Sequence, residues 1–159
     1  MACVSTIMTS RVTTVGADLP LYDLICLLVD KNVGGLPVID AAGRAIGMVS
    51  QSDLIWEDHD WAESRTTMSA GRKIAGRQVA EDAELLDERN LGSRTVADVM
   101  TSGALFVLPT ASIEVASRLM VSNRVHRLPV VDEQELLVGI VTTWDITRWV
   151  AQHSPDGPA

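Results

Sequence analysis

The chain has 159 residues, a formal net charge of −8, 47% hydrophobic residues and only 4% aromatics. This is enough apolar content for one compact domain or two small halves, with an interior built mostly of Val, Leu, Ile, Ala and Met. The basic residues are scattered, so no cationic stripe exists to neutralise duplex phosphates. No apolar run approaches the roughly 20 residues of a membrane-spanning helix, so neither nucleic acid nor membrane is expected as a partner.

The opening segment, from Met1 to Val12, lacks the charged start and long apolar stretch of a secretory leader. Cys3 and Cys26 make no disulfide framework and have no metal-ligand neighbours at short spacing, so a reducing, cytoplasmic setting is expected. An extended piece at 12–15 leads into a helix that starts after Asp18, with Pro20 near its first turn. Leu21, Leu24, Ile25, Leu28 and Val29 fall at the spacing of one buried helix face. The run from Leu36 to Ile39 reads as a short strand with Pro37 at its start. A turn from Asp40 to Gly43 joins it to a second strand, and a second helix is expected directly after Ser50.

Residues 58–94 are polar and carry acidic groups such as Glu81, Asp82 and Glu84, although Leu85, Leu86 and Leu91 are placed to pack down. The length exceeds a minimal connection, which makes the segment a functional insertion or a mobile loop. The earlier order then returns. An extended piece at 104–108 precedes a helix after Thr110, whose inner face is Ile113, Ala116, Leu119, Met120 and Asn123. Leu128 to Val131 form a strand, Asp132 to Glu135 a turn, and a second strand and helix follow. The segment 153–159 is expected to be disordered.

One offset of 92 positions relates the two halves, carrying Asp40 onto Asp132, Gly47 onto Gly139 and Asp53 onto Asp145. It also carries Val4, Met8 and Thr9 onto Val96, Met100 and Thr101 without a gap. Chance similarity does not hold one register through strands, helices and turns, so the chain is a duplication. The fold class is α/β (α+β), two βαββα motifs at 4–57 and 95–152 with the insertion between them.

The landmarks V-x-x-(I/V)-M-T, L-P-V-(V/I)-D and G-x-V-(S/T)-x-x-D-(L/I) stand in both copies. This pattern resembles the cystathionine-β-synthase (CBS) motif, and two in tandem resemble a Bateman module over nearly all of the chain. The resemblance implies a pseudo-twofold pair of motifs, with clefts that commonly bind adenine nucleotides or related adenosyl compounds, in a free-standing CBS-pair protein. The long insertion is similar to that of plant-type CBS-pair proteins that regulate thioredoxin partners.

The candidate binding residues follow the second strand of each copy. Ser50 and Asp53, like Thr142 and Asp145, place a hydroxyl at the end of a strand and a carboxylate three positions on. Free N–H groups of a helical first turn favour an anion, and an ionised carboxylate accepts hydrogen bonds from both hydroxyls of a ribose. The same spacing also makes a capping box, and both roles can coexist. Before the L-P-V strand the copies differ. Arg124, His126 and Arg127 in the second correspond to Asn32, Gly34 and Gly35 in the first. In the family such basic residues often reach phosphate oxygens, but they also suit a solvated turn at a helix end. Gly34 and Gly35 either let an adenine ring approach the backbone or form a helix C-cap. Two unequal sites are expected, one of them holding phosphate. Arg11 and Arg44 are lesser candidates and read first as surface charges.

Trp56, Trp61, Trp144 and Trp149 lie in or after the second helices and are assigned to a subunit contact or core edge. His59, His126 and His153 have no metal-ligand spacing. No nucleophile–base pair or phosphate loop is present, so catalysis is not expected. The leading expectation is a non-catalytic sensor that binds AMP, ADP or ATP, requires no cofactor, forms a homodimer and signals to a regulated partner protein. The alternatives are a ligand-independent dimerisation module and a binder of S-adenosylmethionine-type ligands.

Overall fold

The computed structural model describes residues 2–54, 94–103 and 105–153. Residues 51–54, where the second helix of the first copy is expected to open, form turns. The rest of that expected helix, with Trp56, His59 and Trp61, lies outside the described residues, as do all but Arg94 of the insertion and all but His153 of the tail. After a 3-10 turn at Val4–Thr6, the first copy holds β1 (Val15–Gly16), α1 (Leu21–Asp30), β2 (Gly35–Ile39) and β3 (Ala45–Ser50). The second holds α2 (Val96–Val99), β4 (Thr101–Ser102), α3 (Ile113–Asn123), β5 (Arg127–Val131), β6 (Leu137–Thr142) and α4 (Thr143–His153). The mixed architecture is borne out, and both copies share the order helix, strand, strand expected of them.

Helix ends repeat in detail. Asn32 at φ 50° and Arg124 at φ 55° are the left-handed residues that end α1 and α3. Each is followed by an N–H that reaches back to the helix, Val33 to Leu28 at 3.1 Å and Val125 to Met120 at 3.0 Å. These bonds satisfy carbonyls that a helix end otherwise orphans. Helix starts are less alike. Ser112 caps α3 by accepting from the Val115 N–H at 3.2 Å, so the start lies two residues past Thr110. Pro20, expected near the first turn, is the N-cap of α1, and no side chain caps that helix. Of the expected inner faces, Leu21, Leu24 and Leu28 in α1 and Ile113, Ala116 and Met120 in α3 are buried. Val29 and Asn123, at the last turns, are exposed.

Pro37 and Pro129 are fully buried in the third position of their strands, not at the start. Strand β5 explains how. Pro129 faces Ile140 across the antiparallel β5–β6 ladder. The Ile140 backbone bonds instead to Thr9 on its far side, at 2.9 and 3.0 Å, so nothing in β6 asks for a proton from Pro129. On the other edge, among the described residues, only Val107 pairs: its N–H donates to Pro129 O and its carbonyl accepts from the Val131 N–H. A neighbouring strand one bridge long leaves the missing N–H without consequence.

The edges of the sheets are exchanged between the repeats. The longer sheet has the order β1-β2-β3-β4, so β4 of the second copy borders β3 of the first. The β5–β6 pair is flanked in turn by Val107 and by Thr9 of the first copy through single bridges. Under the 92-residue offset these are the same arrangement. Accordingly, each compact unit draws on both repeats: one comprises Met1–Val15, Pro37–Met48 and Ser102–Ala159, the other Gly16–Leu36 and Val49–Thr101.

In the first unit, Val4 is fully buried in a core with Val107, Ala116, Met120, Leu128, Val130 and Val141. Gly139 is needed there because a Cβ would lie 2.8 Å from Met8 Sδ and 3.1 Å from the Thr9 carbonyl. In the second unit Val96 is buried, and its N–H reaches Leu19 O at 2.9 Å. The turns Asp40–Arg44 and Asp132–Leu136 carry the symmetry furthest. Arg44 bridges its own equivalent Leu136, Ala45 N–H donates to Glu135 O, and Leu137 N–H donates to Gly43 O. Pairing of a residue with its own repeat image is the signature of a twofold relation.

Candidate functional site

Strand β6 ends at Thr142, and α4 begins at the next residue. Asp145 sits in the first turn with Oδ2 accepting from the Thr142 N–H at 2.9 Å and from its hydroxyl at 2.7 Å. The Asp145 N–H returns a bond to Thr142 Oγ1 at 3.3 Å. In the first copy Asp53 Oδ2 accepts from the Ser50 N–H and hydroxyl, both at 2.7 Å, and Ser52 Oγ lies 2.9 Å from Ser50 Oγ. Here the Asp53 N–H goes to the Ser50 carbonyl instead, at 3.1 Å. The reciprocal capping box expected of both pairs is complete at Thr142 and Asp145, whereas at Ser50 and Asp53 only the carboxylate half is made.

Capping geometry by itself does not mark a ligand site. Thr95 and Asp98 make the same reciprocal box, with the Thr95 N–H 2.7 Å from Asp98 Oδ2, on the four-residue helix α2. Asp98 is exposed, whereas Asp145 is the one buried charged residue among the described residues, at 6% exposure. Burying a carboxylate is costly unless its oxygens are satisfied. The cap occupies Oδ2 alone, and among the described residues Oδ1 meets only the Arg148 guanidinium, at 3.4 Å. Asp53 is partly buried and, among the described residues, has no basic partner on its other oxygen.

The residues before the L-P-V strands lie beside these turns within each copy. The His126 carbonyl accepts from the Thr143 N–H at 2.9 Å, and the Gly34 carbonyl accepts from the Gln51 N–H at 3.1 Å. The His126 side chain is exposed, and Arg127 is half-buried in β5 and engaged with a partner. Arg124 is exposed and serves as the left-handed cap of α3. The C-cap reading of Gly34 and Gly35 is corrected: Asn32 takes the left-handed conformation, while Gly35 is the buried first residue of β2. Arg44 is held by Asp40, with its Nε and Nη2 at 2.9 and 2.8 Å from Oδ2.

An open groove of about 430 Å³ runs along α4, with Asp145 at one end. Arg148, Trp149, Gln152 and His153 continue its wall, and Thr6 and Ile7 of the opening segment face them. Trp149 and His153 stack with ring centroids 4.8 Å apart and planes 17° from parallel, and His153 Nδ1 lies 2.9 Å from the Trp149 carbonyl. Of the residues proposed from sequence only Asp145 lines this groove. Arg148 was missed, although an i, i+3 position after a carboxylate on a helix is a recognisable signal. Thr6 and Ile7 carried none, because their placement depends on the exchanged edge.

The CBS domain profile matches residues 4–60 and 96–152. The CBS domain-containing protein CBSX1, chloroplastic, of Arabidopsis thaliana is 32% identical over 133 residues, covering 82% of this chain and 56% of that protein. Its counterpart CBSX2 is 33% identical over 82% of this chain and 55% of its own length, so the chain spans about half of these relatives. An uncharacterized protein of Methanocaldococcus jannaschii is 30% identical over 81% of this chain and 80% of its own. Among solved structures, CBSX2 in complex with AMP superposes with a TM-score of 0.71 at 31% identity, covering 96% of this chain and 98% of that one. A CBS domain pair in complex with 5′-methylthioadenosine and S-adenosyl-L-methionine shares the fold, at a TM-score of 0.67 and 18% identity, over 93% of this chain and 98% of that one.

Proposed function

Since the chain belongs to the CBS domain family and carries the motif twice, we propose that it is a non-catalytic regulatory module that binds an adenine nucleotide and reports its occupancy to a partner protein. One observation carries the reading. A hydroxyl and a carboxylate are built at the same strand–turn in both copies, and the Asp145 carboxylate is buried while its cap uses only one oxygen. The remaining oxygen suits a ribose hydroxyl. AMP in the 31%-identical CBSX2 complex supports AMP, ADP or ATP as the ligand class. Ser50, Asp53, Thr142 and Asp145 would hold the nucleoside, with Gly34 and Gly35 admitting the base and Arg124, His126 and Arg127 meeting phosphate. Reporting occupancy requires unequal affinity for two conformations.

Isothermal titration and thermal shift with AMP, ADP, ATP and S-adenosylmethionine test this. Saturable binding of at least one adenine nucleotide is expected. A folded protein with no response to any of the four overturns it.

A second reading, homodimerisation through the helices, is favoured by Trp144 at 71% exposure and Val150 at 52% on α4. A large exposed aromatic on a helix that also leaves Val150 open is a feature of contact surfaces. Light scattering of the purified chain, with and without Trp144→Ala, reads this directly. No helix among the described residues is long and apolar enough to cross a membrane.

A further inference from the structure

The two copies differ at the position three residues past the site carboxylate, where the second has Arg148 and the first has Trp56. Arg148 Nη2 lies 3.4 Å from Asp145 Oδ1, the one oxygen the cap does not use. Its side chain is 53% exposed, against 9% for that of Asp145. The carboxylate is therefore fixed, while the guanidinium can swing into water at little cost. Both residues line the same groove.

We infer that Arg148 is an internal latch on the second-copy site, covering the carboxylate oxygen that a ribose needs. The inference rests on the nucleotide reading above. A ribose hydroxyl donating to Oδ1 must displace the guanidinium, so the empty site is stabilised by a contact that the filled site loses. The first copy has no cation at the equivalent position, since Trp56 cannot form an ion pair. The latch makes the two sites unequal from the carboxylate side, independently of any phosphate contact.

Neutral adenosine is the cleanest probe, because removing a cation does not alter its charge balance. Titrations use the full chain carrying Asp53→Asn, which silences the first-copy site, with and without Arg148→Gln. The latch predicts that Arg148→Gln tightens adenosine by about two- to fivefold, the range of an exposed ion pair. It also predicts that added salt tightens adenosine while Arg148 is present and has no effect once it is replaced, because salt screens the pair and not the neutral ligand. Unchanged adenosine affinity, or weakened AMP without tightened adenosine, overturns the latch and makes Arg148 a bystander or a phosphate contact. Failure of the Asp53→Asn chain to bind either adenosine or AMP overturns the nucleotide reading of Asp145, and the latch with it.

Discussion

Asp145 divides its carboxylate, since Oδ2 closes the start of α4 and Oδ1 faces Arg148 and, on the proposed reading, a ribose. Asp145→Ala removes both. If the proposed nucleotide site is correct, AMP affinity should fall by at least about tenfold, as for loss of a charge-assisted hydrogen bond, and stability by about 1 kcal/mol, as for a lost cap. Calorimetric titration and urea unfolding separate the two effects. Asp40 illustrates a carboxylate whose work is purely structural. Its Oδ1 accepts from the Arg44 and Ala42 N–H groups at 2.9 Å, and the Arg44 guanidinium sits on Oδ2. The Arg44 backbone N–H, aided by that guanidinium and the Ala42 N–H, outweighs burial and holds the carboxyl below its ordinary value of 3.8. A depressed folded value adds stability above the ordinary pKa, and that stability is lost as pH falls through the folded value. Asp40→Asn should therefore flatten the loss of stability below about pH 4, seen as a shallower acid limb in urea melts taken against pH.

At the level of elements, the repeat solves one turn with two different residues. Gly43 at φ 83° and Glu135 at φ 64° hold the same place in the turns Asp40–Arg44 and Asp132–Leu136. A non-glycine residue there carries a penalty of about 1 kcal/mol that glycine avoids. Glu135→Gly should raise the melting temperature by a few degrees, as expected for about 1 kcal/mol in a domain of this size, and differential scanning calorimetry checks it. Gly139 makes the converse case. Its Cβ would press on the Thr9 carbonyl at 3.1 Å as well as on Met8 Sδ. Gly139→Ala should cost about 1–3 kcal/mol and speed hydrogen exchange at Thr9 and Ile140, whose amides pair across that edge.

Over the whole chain, the exchanged edges mean that neither repeat is complete without a segment of the other. Val4 belongs by sequence to the first copy, yet it is buried with Ala116, Met120, Leu128, Val130 and Val141 of the second. Val4→Ala should cost about 2 kcal/mol, as for other core truncations. Hydrogen exchange should report the loss first in α3 and β5 rather than in α1. A loss confined to α1 would contradict the exchange.

The sequence alone was sufficient for the duplication, the order of elements and the hydroxyl–carboxylate pairs, because each is a local pattern. Side-chain period, turn residues and a single offset of 92 positions are legible without tertiary contacts. It also marked both prolines as strand residues, but their burial in the third position depends on which neighbour is one bridge long. Tertiary structure alone decided that Thr9 borders β6 and that Val4 enters the second core. It also decided that Asp145 is buried while the chemically identical box at Thr95 and Asp98 is not. Spacing along a chain specifies which groups can bond locally, whereas burial depends on what packs over them; here Thr6 and Ile7 of the other repeat line the same groove as Asp145.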